Sequence, residues 1–125
     1  MTLRVARHAN NLGAITVFYT TILGLEILGS FTDHDGYNGM FLGKPGLGWH
    51  LEFTSSSAPA NHVFDEDDLL VFYPENKEAF EAILKRVVEN NVELCSPANP
   101  YWKLNGTMFK DPDGYGVVVS GVKSK

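Results

Sequence analysis

The chain has 125 residues, 44% hydrophobic and 20% charged, a balance that supports a packed core and argues against disordered, collagen-like and disulfide-scaffold chains. Ten basic against fifteen acidic side chains give a formal charge of −5, which disfavours a chain-wide electrostatic hold on nucleic acid or anionic membrane. The single cysteine, Cys95, points to a reducing compartment, and without a leader or bilayer-length apolar run the expectation is a soluble, cytoplasmic domain.

Leu3 and Val5 alternate with Arg4, Ala6 and His8, the period of a strand with two different faces. Asn10-Asn11 offers an N-cap for a helix whose Ile15, Phe18, Tyr19 and Ile22 recur at helical spacing, with Gly24 as its stop. A strand is expected over 25–31, a turn at Asp33-His34-Asp35-Gly36, and a hairpin partner over 37–42. The turn at Gly43-Lys44-Pro45-Gly46 leads to a fourth strand over 49–53. Ser, Pro and Ala residues after Thr54 and the acidic Asp65-Glu66-Asp67-Asp68 read as a solvated connector.

After the connector the pattern restarts. A strongly apolar strand covers 69–73, and Asn76 caps a helix carrying Phe80, Ile83, Leu84, Val87 and Val88 on one stripe. A short strand is expected over 92–95, a loop over 97–100, and final strands over 104–109 and 116–120, joined by Asp111-Pro112-Asp113-Gly114. Shifting the chain by 65 places Asn11, Ile15, Phe18, Tyr19, Ile22 and Leu23 on Asn76, Phe80, Ile83, Leu84, Val87 and Val88. Shifting it by 67 places Asn38-Gly39 on Asn105-Gly106 and Pro45 on Pro112. Each half therefore reads β-α-β-β-β, and a unit of that size buries too little surface by itself, so the halves must pack or merge their sheets.

Phe18-Tyr19, Leu23-Gly24-Leu25 and the Asp111-Pro112-Asp113-Gly114 turn, in that order within a duplicated unit, resemble the glyoxalase/bleomycin-resistance/extradiol-dioxygenase group, the vicinal oxygen chelate superfamily. The resemblance spans nearly the whole chain. It implies an α+β fold of two tandem β-α-β-β-β modules forming a cupped, mostly antiparallel sheet around a cavity. Module one is expected at 1–54, a connector at 55–67 and module two at 68–122, all within one glyoxalase-like domain, 1–125. Enzymes of this group hold a divalent metal on the first and fourth strands of each module. Those four positions fall on Arg4, Glu52, Leu69 (or Asp68, with a one-residue slip) and Val118. Of Arg4, Glu52, Leu69 and Val118 only Glu52 can ligate, since arginine stays protonated and Leu and Val have no lone pair.

Arg4 and Glu52 form the sharpest pair. Both are expected inside, either as a cation gripping an anionic ligand beside an orienting or basic carboxylate, or as a structural ion pair tying two strands. Glu52 is the candidate catalytic group. His50 shares parity with Glu52, and His8 with Arg4, so His8, His50 and Glu52 also form a candidate two-histidine, one-carboxylate metal set. Tyr101 and Trp102 follow a proline loop and are expected either as an aromatic lid or as cover for a core edge. Cys95 reads as an inert packed thiol, and His34, Asp111 and Asp113 as turn residues.

The resulting expectation is a small-molecule binding protein of the bleomycin-resistance type with a degenerate metal site. Its ligand is polar or anionic and is held by Arg4, His8, His50, Glu52, Tyr101 and Trp102. No cofactor is expected. The alternative is a metal-dependent lyase, isomerase or dioxygenase of the same superfamily, which would need a divalent ion; a third class is a dimer-forming module without ligand. Expected partners are a small molecule and, through exchange of modules, a second copy in a homodimer; nucleic acid and membrane are not expected.

Overall fold

Two asparagines start the two main helices. Asn11 Oδ1 accepts the Ala14 amide at 2.9 Å, and Asn76 Oδ1 accepts the Ala79 amide at 2.8 Å, satisfying donors that an uncapped helix would leave bare. The computed structural model describes residues 1–121; Val122, the last residue expected in module two, lies outside the described residues. The chain divides into two compact units, Met1–His62 and Val63–Lys125, and the division falls inside segment 55–67.

Unit one runs β1 (Leu3–His8), α1 (Leu12–Val17) with a π-helical turn (Phe18–Ile22), β2 (Glu26–His34), β3 (Tyr37–Gly43) and β4 (Trp49–Ser55). The strands form one sheet in the order β1-β4-β3-β2, with β1 parallel to β4 and the other pairs antiparallel. Leu42, Leu51 and Phe53 on one face are buried with Ile15, Phe18, Tyr19 and Ile22 from the helix. The Tyr19 ring stacks on Phe53 at 5.0 Å and meets Phe18 edge-on at 4.9 Å.

Unit two runs β5 (Leu69–Phe72), α2 (Lys77–Glu89), β6 (Leu94–Cys95), α3 (Pro100–Asn105), β7 (Gly106–Lys110) and β8 (Gly116–Ser120). Its sheet order, β5-β8-β7-β6, repeats that of unit one, with β5 parallel to β8. Two four-stranded mixed sheets in tandem β-α-β-β-β modules are the α+β architecture expected. Among the described residues no helix is long and apolar enough to cross a membrane.

Several expected boundaries change. The hairpin turn is tighter: β2 runs through His34, and Asp35-Gly36 alone, both at positive φ, make the two-residue loop. β4 runs on to Ser55, β5 ends at Phe72 rather than 73, and only Leu94–Cys95 of 92–95 is strand. Residues 104 and 105 belong to α3, because Asn99 Oδ1 caps the Tyr101 amide at 3.0 Å and Pro100 enters with φ already set for a helix. Val88 is 71% exposed, whereas its counterpart Leu23 is buried. In unit one Thr20 Oγ1 donates to the Thr16 carbonyl at 2.7 Å, and the wider π-helical turn there shifts the rotation of Leu23 about the helix axis; α2 has no such turn.

Candidate functional site

Strand alternation and register decide which side chains share a face. β1 and β4 pair Arg4 with His50, Ala6 with Glu52 and His8 with Thr54; β3 and β4 pair Phe41 with Glu52 and Gly39 with Thr54. These residues line the face of sheet one opposite α1. Arg4 and Ala6 are exposed there, while His8, His50, Glu52 and Phe41 are half-buried.

Arg4 is held from two sides. Its Nε donates to His50 Nε2 at 2.9 Å, and its guanidinium carbon lies 4.7 Å from the Phe41 ring centroid. Phe41 in turn meets the His50 ring edge-on at 6.3 Å. Arginine Nε–H can only donate, so His50 Nε2 is the acceptor of this bond. The expected Arg4–Glu52 ion pair is not among the ion pairs of the described residues. Register explains the change, since Arg4 stands level with His50 and Glu52 lies two residues further along.

Two glycines give this face its relief. A Cβ on Gly39 would sit 2.1 Å from the Phe31 ring, and one on Gly29 would sit 3.5 Å from the Phe41 ring. Phe31 therefore lies against bare backbone at Gly39, and its ring stands 5.9 Å from that of Phe41 at a tilt of 50°, beside Arg4.

His8 lies at the other end of the face. Its Nε2 shares a 3.0 Å hydrogen bond with Ser56 Oγ, and its ring lies 6.2 Å from Tyr37. His62 Nε2 donates to the His8 carbonyl, and Asn10 bonds both the amide and the carbonyl of Ala60. His62, which carries no signal in the sequence, thus helps tie the segment after β4 back to the end of β1. The two-histidine, one-carboxylate set does not converge. His8 and His50 stand four residues apart along the paired strands, about 13 Å at the usual rise, with Glu52 between them. Among the described residues no group of three His, Cys, Asp or Glu could hold an ion.

Tyr101 and Trp102 lie on α3 in unit two, their rings edge-on at 4.8 Å. A Cβ on Gly106 would come within 3.2 Å of the Trp102 ring and 2.6 Å of Val118, so Trp102 covers that part of sheet two, while Tyr101 is 42% exposed. Cys95 is half-buried. Asp111 is a turn residue, its Oδ1 accepting the Asp113 amide at 2.9 Å and the Tyr115 amide at 3.0 Å. His34 lies at the hairpin tip beside Asp35, both highly exposed.

Phe41 escaped the sequence reading. It stands in the apolar run Met40-Phe41-Leu42, whose parity is ambiguous, and only pairing with β4 puts it on the Glu52 side. A second omission is Phe64, whose ring meets Tyr115 edge-on at 4.5 Å. Phe64 lines a pocket of about 170 Å³ in unit two with Asp65, Glu66, Met108, Lys110, Gly114 and Gly116. Lys110 and Glu66 pair across it at 3.7 Å.

Two tandem β-α-β-β-β modules with an open polar face on the first sheet define a protein of the glyoxalase/bleomycin-resistance, or vicinal oxygen chelate, superfamily. The chain matches the YycE-like N-terminal domain over residues 3–54 and the YycE-like C-terminal domain over residues 67–120, and it belongs to the YycE-like family. It is 37% identical over 125 residues to the uncharacterized protein YycE of Bacillus subtilis strain 168, covering 97% of this chain and 88% of that protein. A crystal structure of a Bacillus subtilis YycE protein of unknown function superposes with a TM-score of 0.90 at 34% identity, covering 99% of this chain and 91% of that one. Trypanothione-dependent glyoxalase I of Leishmania major shares the fold, with a TM-score of 0.74 at 20% identity over 96% of this chain and 85% of that one. So does the fosfomycin resistance protein FosX of Listeria monocytogenes, with a TM-score of 0.70 at 14% identity over 96% of this chain and 90% of that one.

Proposed function

We propose that this is a cytoplasmic small-molecule binding protein that holds a polar or anionic ligand on the open face of sheet one. Arg4, His50 and Glu52 are the gripping groups, and His8 borders them. The observation that carries the reading is Arg4 itself. At a position where enzymes of the superfamily place a metal ligand, it presents a cation fastened to His50 and Phe41. The residues present do not fit a divalent ion. Of Arg4, Glu52, Leu69 and Val118, only Glu52 has a lone pair to give, and the Arg4 guanidinium on the same face would repel an added cation. Binding therefore proceeds through protein groups alone, with no cofactor.

The test is a thermal-shift screen of aromatic and carboxylate-bearing metabolites against the full chain, run with and without Ni, Mn, Fe and Zn. The expected result is stabilisation by one or more organic ligands, independent of metal and lost in Arg4→Met. Stabilisation by metal alone would favour the lyase, isomerase or dioxygenase alternative. Organic ligands that stabilise the wild type and Arg4→Met equally would remove Arg4 from the site.

A further inference from the structure

The surroundings of Arg4 narrow the ligand class. The narrowing rests on the reading that the open face of sheet one binds a small molecule. We infer that the face is built for a monoanionic carboxylate carrying a hydroxyl or ammonium group a few bonds away.

Arginine has five N–H donors in a fixed fork, and here Nε–H is committed to His50 Nε2 at 2.9 Å. The guanidinium is also held 4.7 Å from the Phe41 ring centroid, which removes much of the rotational freedom that an exposed arginine would lose on binding. What remains is the edge formed by Nη1 and Nη2. Two parallel N–H groups on a rigid plane match the two oxygens of a carboxylate.

Charge then limits the anion. Arg4 faces the ligand with one positive charge, Glu52 stands two residues along the same face, and the chain carries a formal charge of −5. A dianion would meet the attraction of Arg4 and the repulsion of Glu52 within a net-negative chain. A single negative charge is the better match.

Glu52 supplies the second requirement. Its β1 neighbour in register is Ala6, which is exposed and too short to cover the carboxylate, and its β3 neighbour is Phe41, whose side chain has no hydrogen-bond donor. Among the described residues Glu52 takes part in no ion pair. An ionised carboxylate only accepts hydrogen bonds, so a ligand reaching it must bring a donor. Strand spacing and rise put the Arg4 and Glu52 backbones about 8 Å apart, a gap that two hydrogen bonds and a short carbon chain can bridge.

The test uses four defined probes on the full chain, followed by NMR through the Arg4 Nε–H signal, which is assigned by its loss in Arg4→Met. The probes are 3-hydroxybutyrate, butyrate, 2-butanol and inorganic phosphate. The expected result is saturable binding of 3-hydroxybutyrate about tenfold tighter than butyrate, the worth of one hydrogen bond to a charged group, with the alcohol and phosphate weaker still. Glu52→Gln should narrow the gap between 3-hydroxybutyrate and butyrate. The amide oxygen it introduces still accepts but without charge, so the hydroxyl's advantage should shrink to about threefold or less. His50→Phe should loosen both carboxylates by freeing the guanidinium.

Equal affinity for 3-hydroxybutyrate and butyrate would overturn the inference, as would tighter binding of phosphate, or no saturable shift at Arg4 with any probe. The broader reading fails separately. If an organic ligand from the thermal-shift screen binds in an Arg4-dependent way but lacks a carboxylate or a neighbouring donor, the binding function stands and only this ligand class falls.

Discussion

In unit one, Arg4 stands level with His50 and Ala6 with Glu52; in unit two, the same places hold Leu69 with Gly116 and Val71 with Val118. Phe41 and Gly39 of β3 correspond to Met108 and Gly106 of β7 in the same register. The backbone plan is shared, and the chemistry on the equivalent faces is opposite. Sheet one keeps charged and polar groups within reach of solvent. On sheet two Met108 is 2% exposed and Val118 is fully buried, with Trp102 of α3 lying over Gly106. Even the glycines are used alike, since Phe31 lies over Gly39 as Trp102 lies over Gly106. The difference teaches that the repeat preserves strand pairing and helix placement, while a six-residue helix between β6 and β7 lays Trp102 over part of the second sheet's face.

The largest test of that contrast is to exchange its chemistry. Val118→Glu places a carboxylate where Glu52 stands in unit one, but at a fully buried position; without a partner it should cost about 3–5 kcal/mol in urea unfolding, or prevent unit two from folding. Next come the glycines. Gly106→Ala would bring a Cβ to 2.6 Å from Val118, and Gly39→Ala one to 2.1 Å from the Phe31 ring. Each should cost about 1–3 kcal/mol. Phe31→Leu should recover part of the Gly39→Ala loss and none of the Gly106→Ala loss, which a double-mutant cycle would read directly.

The shared features should respond alike. Asn11→Ala and Asn76→Ala each remove one cap and should cost about 1 kcal/mol, by the same urea measurement. Smallest of all is Glu52→Val, the reverse exchange. A half-buried carboxylate that ties no strands should be replaceable within about 0.5 kcal/mol, although ligand binding should suffer. A large loss there would mean that Glu52 holds the sheet together and that the two faces differ less than they look.

Much of the architecture was legible because it is written in local signals. The caps at Asn11 and Asn76, the helical stripes behind them and the repeated Asn-Gly pairs all depend on short-range chemistry. Alternation along β1 and β4 also placed Arg4, His8, His50 and Glu52 on one face. Their partners were not legible. Whether Arg4 meets His50 or Glu52 depends on a parallel register between strands more than forty residues apart, and no neighbouring residue encodes it. Helix α3 was hidden for another reason. Six residues starting at Pro100 are too few to show helical periodicity, so Pro97 and Pro100 read as a loop.

The central claim is that Arg4 has taken a metal ligand's place, so that sheet one works without an ion. Elemental analysis of protein purified without chelators, and again after equilibration with Ni, Mn, Fe and Zn, tests it most directly. The account predicts metal far below one ion per chain, unchanged by Glu52→Ala. One ion per chain in the wild type, lost in Glu52→Ala, would contradict it.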